Sequence, residues 1–92
     1  MELSVSHDRA ASRFEAPVGG GRAVCVYRLH DGVMNLTHTE VPRSSQGHGV
    51  AAALVHEALA WARREGHRVR PLCSYVAAYM RRHPETRDLL AE

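Results

Sequence analysis

The stretch Val41-Pro42-Arg43-Ser44-Ser45-Gln46-Gly47-His48-Gly49-Val50-Ala51 decides the fold. It runs from the end of an alternating segment, through a polar loop with two glycines, into an alanine-rich helical segment. Inside a helix Gly47 and Gly49 would each cost up to about 1 kcal/mol relative to alanine, so another role has to offset them. A helix N-terminus presents unpaired amide donors and the positive end of the dipole, and a missing side chain lets an anion approach that backbone. Two readings stand side by side: a cradle for a phosphate or pyrophosphate, and a loop that needs glycine only for its turns. A Walker loop is excluded because no Lys follows, and a dinucleotide fingerprint would need a third glycine in a parallel βαβ setting.

On the N-terminal side of that loop the chain reads as strands. Ser12 to Val18 alternates weakly, Gly19-Gly20-Gly21 is a turn, and Ala23 to Leu29 is a β-branched and aromatic run. Asp31-Gly32 predicts a tight primed hairpin turn, which needs positive φ. The next strand, Val33 to Val41, would put Met34, Leu36, His38 and Glu40 on one face and Val33, Asn35, Thr37, Thr39 and Val41 on the other. On the C-terminal side, from Gly47 to Glu65, Val50, Ala51, Leu54, Val55, Ala58, Leu59 and Ala62 recur at three and four residues. They predict one long helix with a single buried stripe, stopped by Gly66. Trp61 on that helix is assigned to packing. His67 to Leu72 reads as a strand whose Pro71 suits an edge or a splay. Ser74 to Arg82 reads as a second helix ended by Pro84, and Glu85 to Leu90 as a last turn or helix. The sum is an α/β (α+β) fold: a mostly antiparallel sheet, one long helix and a short C-terminal helix.

With 92 residues the chain predicts a single domain over 1–92. Hydrophobic residues at 45% and charged residues at 24% exclude a disordered or fibrous chain. No apolar run approaches the ~20 residues that span a bilayer, and the start MELSVSHDRA lacks a signal-peptide profile, so a cytoplasmic protein without a membrane partner is expected. A net charge of +2 with five aromatics argues against nucleic acid as a partner. All twelve basic residues are Arg, which a GC-rich coding sequence explains more simply than selection for bidentate anion contacts. Cys25 and Cys73 match no CxxC or zinc spacing and the seven histidines show no ligand spacing, so neither a structural metal nor a disulfide is expected.

Gln46-x-x-Gly49-x-Ala51 fits the Gln/Arg-x-x-Gly-x-Gly/Ala signature of the GNAT superfamily of acyl-CoA-dependent N-acetyltransferases. It is followed by Pro71-Leu72-Cys73-Ser74-Tyr75-Val76-Ala77-Ala78-Tyr79 and by Arg82-His83-Pro84-Glu85. Over roughly residues 23–88 this succession resembles the small single-domain GNAT-like proteins, marked by a Pro-Leu-Cys-x-aromatic-Val-Ala-x-Tyr segment and a later His-Pro. The resemblance implies a minimal GNAT-like fold that binds acetyl-CoA and transfers its acetyl group to an amine. It implies that the amides of Gln46, Gly47, His48, Gly49, Val50 and Ala51 grip the CoA pyrophosphate. The strand end at Thr39, Glu40 and Val41 would pair with the pantetheine arm. Cys73 would face the thioester, and Tyr79 falls near the family's tyrosine that protonates the leaving thiolate. Arg43-Ser44-Ser45, His48 and Ser74 depart from the usual residues.

Physical readings of the same residues stay open. A thiol at a helix N-terminus is biased toward thiolate, so Cys73 is a pocket-lining residue, a nucleophile or a small core residue, while mid-strand Cys25 is assigned to the core. His38 and Glu40 are candidates for the base that takes the amine proton, or else a solvent-facing pair. Tyr75 reads as a pocket wall. Arg68, Arg70, Arg81, Arg82 and Arg87 read either as a patch for the cofactor's 3′-phosphate or adenine, or as a solvated face. The alternative to an enzyme is an acyl-CoA or CoA sensor or interaction module without turnover. The short turns at Gly19–Gly21 and Asp31–Gly32 leave no room for the helices that wall the acceptor side in larger GNAT enzymes. This predicts a bulky acceptor such as a protein, or a second copy in a homo-oligomer that completes the pocket.

Overall fold

The computed structural model describes residues 3–91. Strands β1 (Ser6–Asp8), β2 (Arg13–Val18), β3 (Gly21–His30) and β4 (Val33–Glu40) form an antiparallel meander. Helix α1 (Val50–Glu65) then crosses over, so that β5 (Arg68–Pro71) pairs parallel to β4, and α2 (Ser74–Arg82) follows. The sheet order is β1-β2-β3-β4-β5, and short 3₁₀ turns at Arg43–Ser45 and Pro84–Leu89 complete the elements. No helix among the described residues is long and apolar enough to cross a membrane.

Local chemistry accounts for most of these boundaries. Asp31 and Gly32 both take positive φ, 51° and 76°, and close the β3–β4 hairpin with the primed turn that matches strand twist. Gly66, at φ 74°, stops α1 in the left-handed conformation, its amide and that of His67 closing onto Ala62 O. One sheet face is apolar: Phe14, Ala16, Ala23, Cys25, Tyr27, Met34, Leu36 and Val69 are buried against Leu54, Val55, Ala58, Leu59, Trp61 and Ala62 of α1. The same core takes in Val76, Tyr79 and Met80 of α2. Arg22, Arg28, His38 and Glu40 stand exposed on the opposite face.

Three features depart from the sequence expectations. Helix α1 starts at Val50 rather than Gly47, because Gly47 and Gly49 sit at φ 86° and 77°, outside the helical region. Strand β1 is an addition. Its three residues pair with Arg13 to Glu15, and His7 anchors it by stacking on Phe14 at 4.0 Å and by a 2.7 Å hydrogen bond with the Tyr27 hydroxyl.

The third is a β-bulge in β4. Tyr27 faces Leu36 and Val26 faces His38, which leaves Thr37 as the extra residue. Directly opposed residues share a sheet face, so Thr39, opposite Cys25, turns toward the core side. His38, opposite Val26, and Glu40, opposite Val24, turn to the open face. The expected alternation therefore holds only to Leu36, and His38 and Glu40 do not share a face with Met34. Close by, β5 ends at Pro71, and the amides of Leu72 and Cys73 both bond to Leu36 O at 3.0 and 2.9 Å. Beyond Leu36, β4 and β5 part.

Candidate functional site

A cleft of about 450 Å³ opens where the two strands separate. Thr39 and Val41 of β4 line it, as do Ser45, Gln46, Gly47 and Gly49 of the loop, Val50, Ala51 and Ala52 of α1, and Tyr75 of α2. The loop is tied down by its own side chains. Ser44 and Ser45 each donate a hydroxyl to Gly19 O at 3.3 Å, binding the loop to the β2–β3 turn, and Gln46 Nε2 donates to Val41 O at 3.0 Å. Gln46 thus acts as a strut across the loop, and it occupies the Val41 carbonyl.

The start of α1 is bare. Its first helical bond runs from Ala53 N to Gly49 O at 3.1 Å, so the amides of Val50, Ala51 and Ala52 have no acceptor within the helix. Gly49 is the N-cap and offers no side-chain acceptor, and the first turn carries no acidic residue. An added Cβ at Gly47 or Gly49 would meet nothing within 4 Å, so only the left-handed backbone calls for glycine there, and the space above it stays open. Free amide donors, the positive dipole end and no competing carboxylate suit an anionic group such as a pyrophosphate.

Beside the cleft, Cys73 Sγ donates to Thr39 Oγ1 at 3.5 Å, and that hydroxyl lies 4.0 Å from Cys25 Sγ. Cys25 is fully buried, and burial pushes its thiol up to about 11. Cys73 is the N-cap of α2 and half-buried. Burial raises its pKa, but the Thr39 hydroxyl and the backbone amides of Val76, Tyr75 and Thr39 outweigh that and hold the thiol below its ordinary value.

The remaining candidates fall elsewhere. His38 and Glu40 pair with each other at 3.6 Å on the open face, with side chains 59% and 71% exposed, and neither lines the cleft. Tyr79 is buried, stacks on His83 at 4.0 Å and borders a separate hollow between α1 and the Pro84–Leu89 turn. Tyr75 takes the cleft wall instead. His48 is exposed and outside the lining. Arg68 donates to Asp88 O and Arg87 to Arg81 O, and none of Arg68, Arg70, Arg81, Arg82 and Arg87 borders the cleft, as a solvated face would have it. Sequence reasoning missed the lining role of Ala52 and the tie from Ser45 to Gly19; the adjacent small residues Ser44-Ser45 and Ala51-Ala52 were the available signal.

The model of the GCN5-related N-acetyltransferase family matches residues 13–89, from β2 to the last turn. The chain belongs to the GCN5-related N-acetyltransferases. Protein NATD1 of Gallus gallus is 32% identical over 85 residues, covering 89% of this chain and 77% of that protein. NATD1 of Homo sapiens is equally similar, with 75% of its length covered. A solution structure of a GCN5-like protein from Staphylococcus aureus superimposes with a TM-score of 0.77 over 97% of this chain and 88% of that one, at 21% identity. That likeness establishes the fold. Within this GCN5-related fold the parting strands and the uncapped α1 are the elements that shape the cleft.

Proposed function

We propose that this protein binds acetyl-CoA in the cleft between β4 and β5 and transfers the acetyl group to an amine. The observation that carries this reading is the bare N-terminus of α1 beside the parted strands, in a chain of this family. The amides from Gly47 to Ala52 would hold the pyrophosphate, with Gln46 keeping the loop in shape. Beyond Leu36 the edge of β4 faces a gap and offers backbone groups to an extended pantetheine arm, as an added strand would use them. Acetyl-CoA supplies an activated thioester, whose carbonyl carbon the amine nitrogen attacks; an amide forms and the CoA thiol leaves with a proton. Thr39 and Cys73 would flank the thioester from the β4 and α2 sides. His38, backed by Glu40, would accept the amine proton from the open face, directly or through a water. Tyr79, packed outside the cleft, is given no part.

Calorimetric titration with acetyl-CoA and with CoA tests the reading. Saturable binding of both is expected, and no heat at millimolar ligand would sink it. One observation favours a sensor without turnover: Tyr75 is the only ionisable side chain on the cleft lining among the described residues. Thiol release against a panel of amines separates the two, since a sensor binds acetyl-CoA and releases none.

A further inference from the structure

We propose that the open sheet face, where β4 and β5 part, receives the acceptor and that it selects an amine carried on an acidic peptide segment, with Arg28 and Arg70 as the reading residues. This deepens the acetyl-transfer reading and rests on it.

The bulge at Thr37 divides the labour between the two faces. Thr39 turns to the helix side and lines the cleft, whereas His38 and Glu40 emerge on the other side of the same gap. A group held between the strands is therefore approached from the open face, past His38. That face is charged unevenly. On its β1–β2 half the carboxylates are neutralised within the sheet: Asp8 pairs with Arg13 at 3.9 Å, and Glu15 with Arg13 at 2.7 Å and Arg22 at 3.6 Å. On its β3–β5 half, Arg28, Asn35 and Arg70 form one cross-strand row, and among the described residues neither arginine has a carboxylate within ion-pair distance. Asn35 joins the row, accepting from Arg70 Nη1 at 3.1 Å and donating to Arg28 O at 3.3 Å.

The row adjoins Leu36↔Pro71, the last pair before the strands part. At a strand spacing of about 4.8 Å, Arg28 and Arg70 stand about 10 Å apart at Cα, within reach of one extended chain lying across the face. At ~3.3 Å per residue, His38 is about 10 Å along β4 from Asn35. An amine at the gap would thus bring a carboxylate about three residues away over the arginine pair. Two guanidiniums with no carboxylate partner among the described residues favour that carboxylate and repel a basic neighbour.

The test uses the full chain loaded with CoA and two fluorescent peptides, each with a central lysine, one flanked by glutamates and the other by glutamines. Anisotropy titration at low salt is expected to show the glutamate peptide binding about tenfold more tightly, with added salt eroding the difference. In the double variant Arg28→Gln, Arg70→Gln the difference should vanish, while CoA binding and thermal stability stay at wild-type levels. Glutamine keeps a donor for Asn35, so loss of fold is not the expected cause. Equal binding of the two peptides by the wild type, or a glutamate preference that survives in the double variant, overturns the proposal. The peptide titration repeated without CoA keeps this result separate from the cofactor reading: a protein that ignores CoA but prefers the glutamate peptide refutes acetyl transfer and leaves the surface.

Discussion

Helix α1 carries a left-handed glycine at each end, Gly49 at φ 77° and Gly66 at φ 74°, and an added Cβ meets nothing within 4 Å at either. Replacing each by alanine is therefore a controlled pair. A non-glycine residue in this conformation costs roughly 1–2 kcal/mol, offset by about 0.4–1 kcal/mol from the stiffer unfolded chain, which leaves a net loss of about 1 kcal/mol at both sites. For a domain this size that lowers Tm by about 4–8 °C. The two sites differ in what lies above them. Gly49 borders the cleft and precedes the bare amides, whereas Gly66 lies beyond the far end of the 16-residue helix, about 24 Å away at 1.5 Å per residue. Melting curves should thus fall together, but calorimetry should show CoA binding weakened about tenfold or more, about 1.4 kcal/mol, in Gly49→Ala alone. Gly49→Asn, which tolerates the left-handed region, should regain stability and not affinity. Equal CoA affinity in Gly49→Ala and Gly66→Ala would refute the assignment of the anion to this helix start. An unchanged Tm in both would refute the backbone argument itself.

Cys73 should be alkylated by iodoacetamide well before Cys25, which is fully buried with its thiol pushed up to about 11. Thr39→Val, which removes the hydroxyl holding the Cys73 thiol low, should raise the midpoint of the alkylation–pH profile, and an unshifted midpoint would remove Thr39 from that role. His7 titrates below its ordinary value, chiefly through burial and then through Arg9, so between neutral pH and pH 5 the unfolded chain takes up a proton more readily than the folded one. Stability should fall as pH drops through the ordinary histidine range near 6.5, and Tm of His7→Phe should lose that component of the pH dependence; identical profiles would refute it.

What was legible in the sequence was what neighbours along the chain decide. The Asp31-Gly32 turn, the stripe of α1 and its stop at Gly66 each follow from a few adjacent residues. The rest depends on partners distant in sequence. Strand β1 has only three residues and is held by His7 against Phe14, Tyr27 and Trp61, which no local pattern announces. Tyr75 and Tyr79 are one helical turn apart. Tyr75 lines the cleft, as its reading as a pocket wall expected, whereas Tyr79 borders the separate hollow that Thr86 and Leu89 of the Pro84–Leu89 turn also line, a neighbour that no local pattern around Tyr79 announces.

The failure at Thr37 carries the most information about the site. Strict alternation from Leu36 onward would turn His38 and Glu40 toward the cleft and Thr39 away from it. A carboxylate would then face the uncapped amides of α1 and compete with any anion there, while Cys73 would lose the hydroxyl that holds its thiol low. One extra residue reverses this: Thr39 comes in beside Cys73, and the imidazole and carboxylate go out to the open face. Bulges commonly re-aim side chains, and here the reversal coincides with the last β4–β5 pair, so the face switch and the gap open at the same step of the strand. The insertion sends Thr39 to the cleft side and His38 and Glu40 to the charged face, which makes the departure from regular alternation the most specific feature of β4.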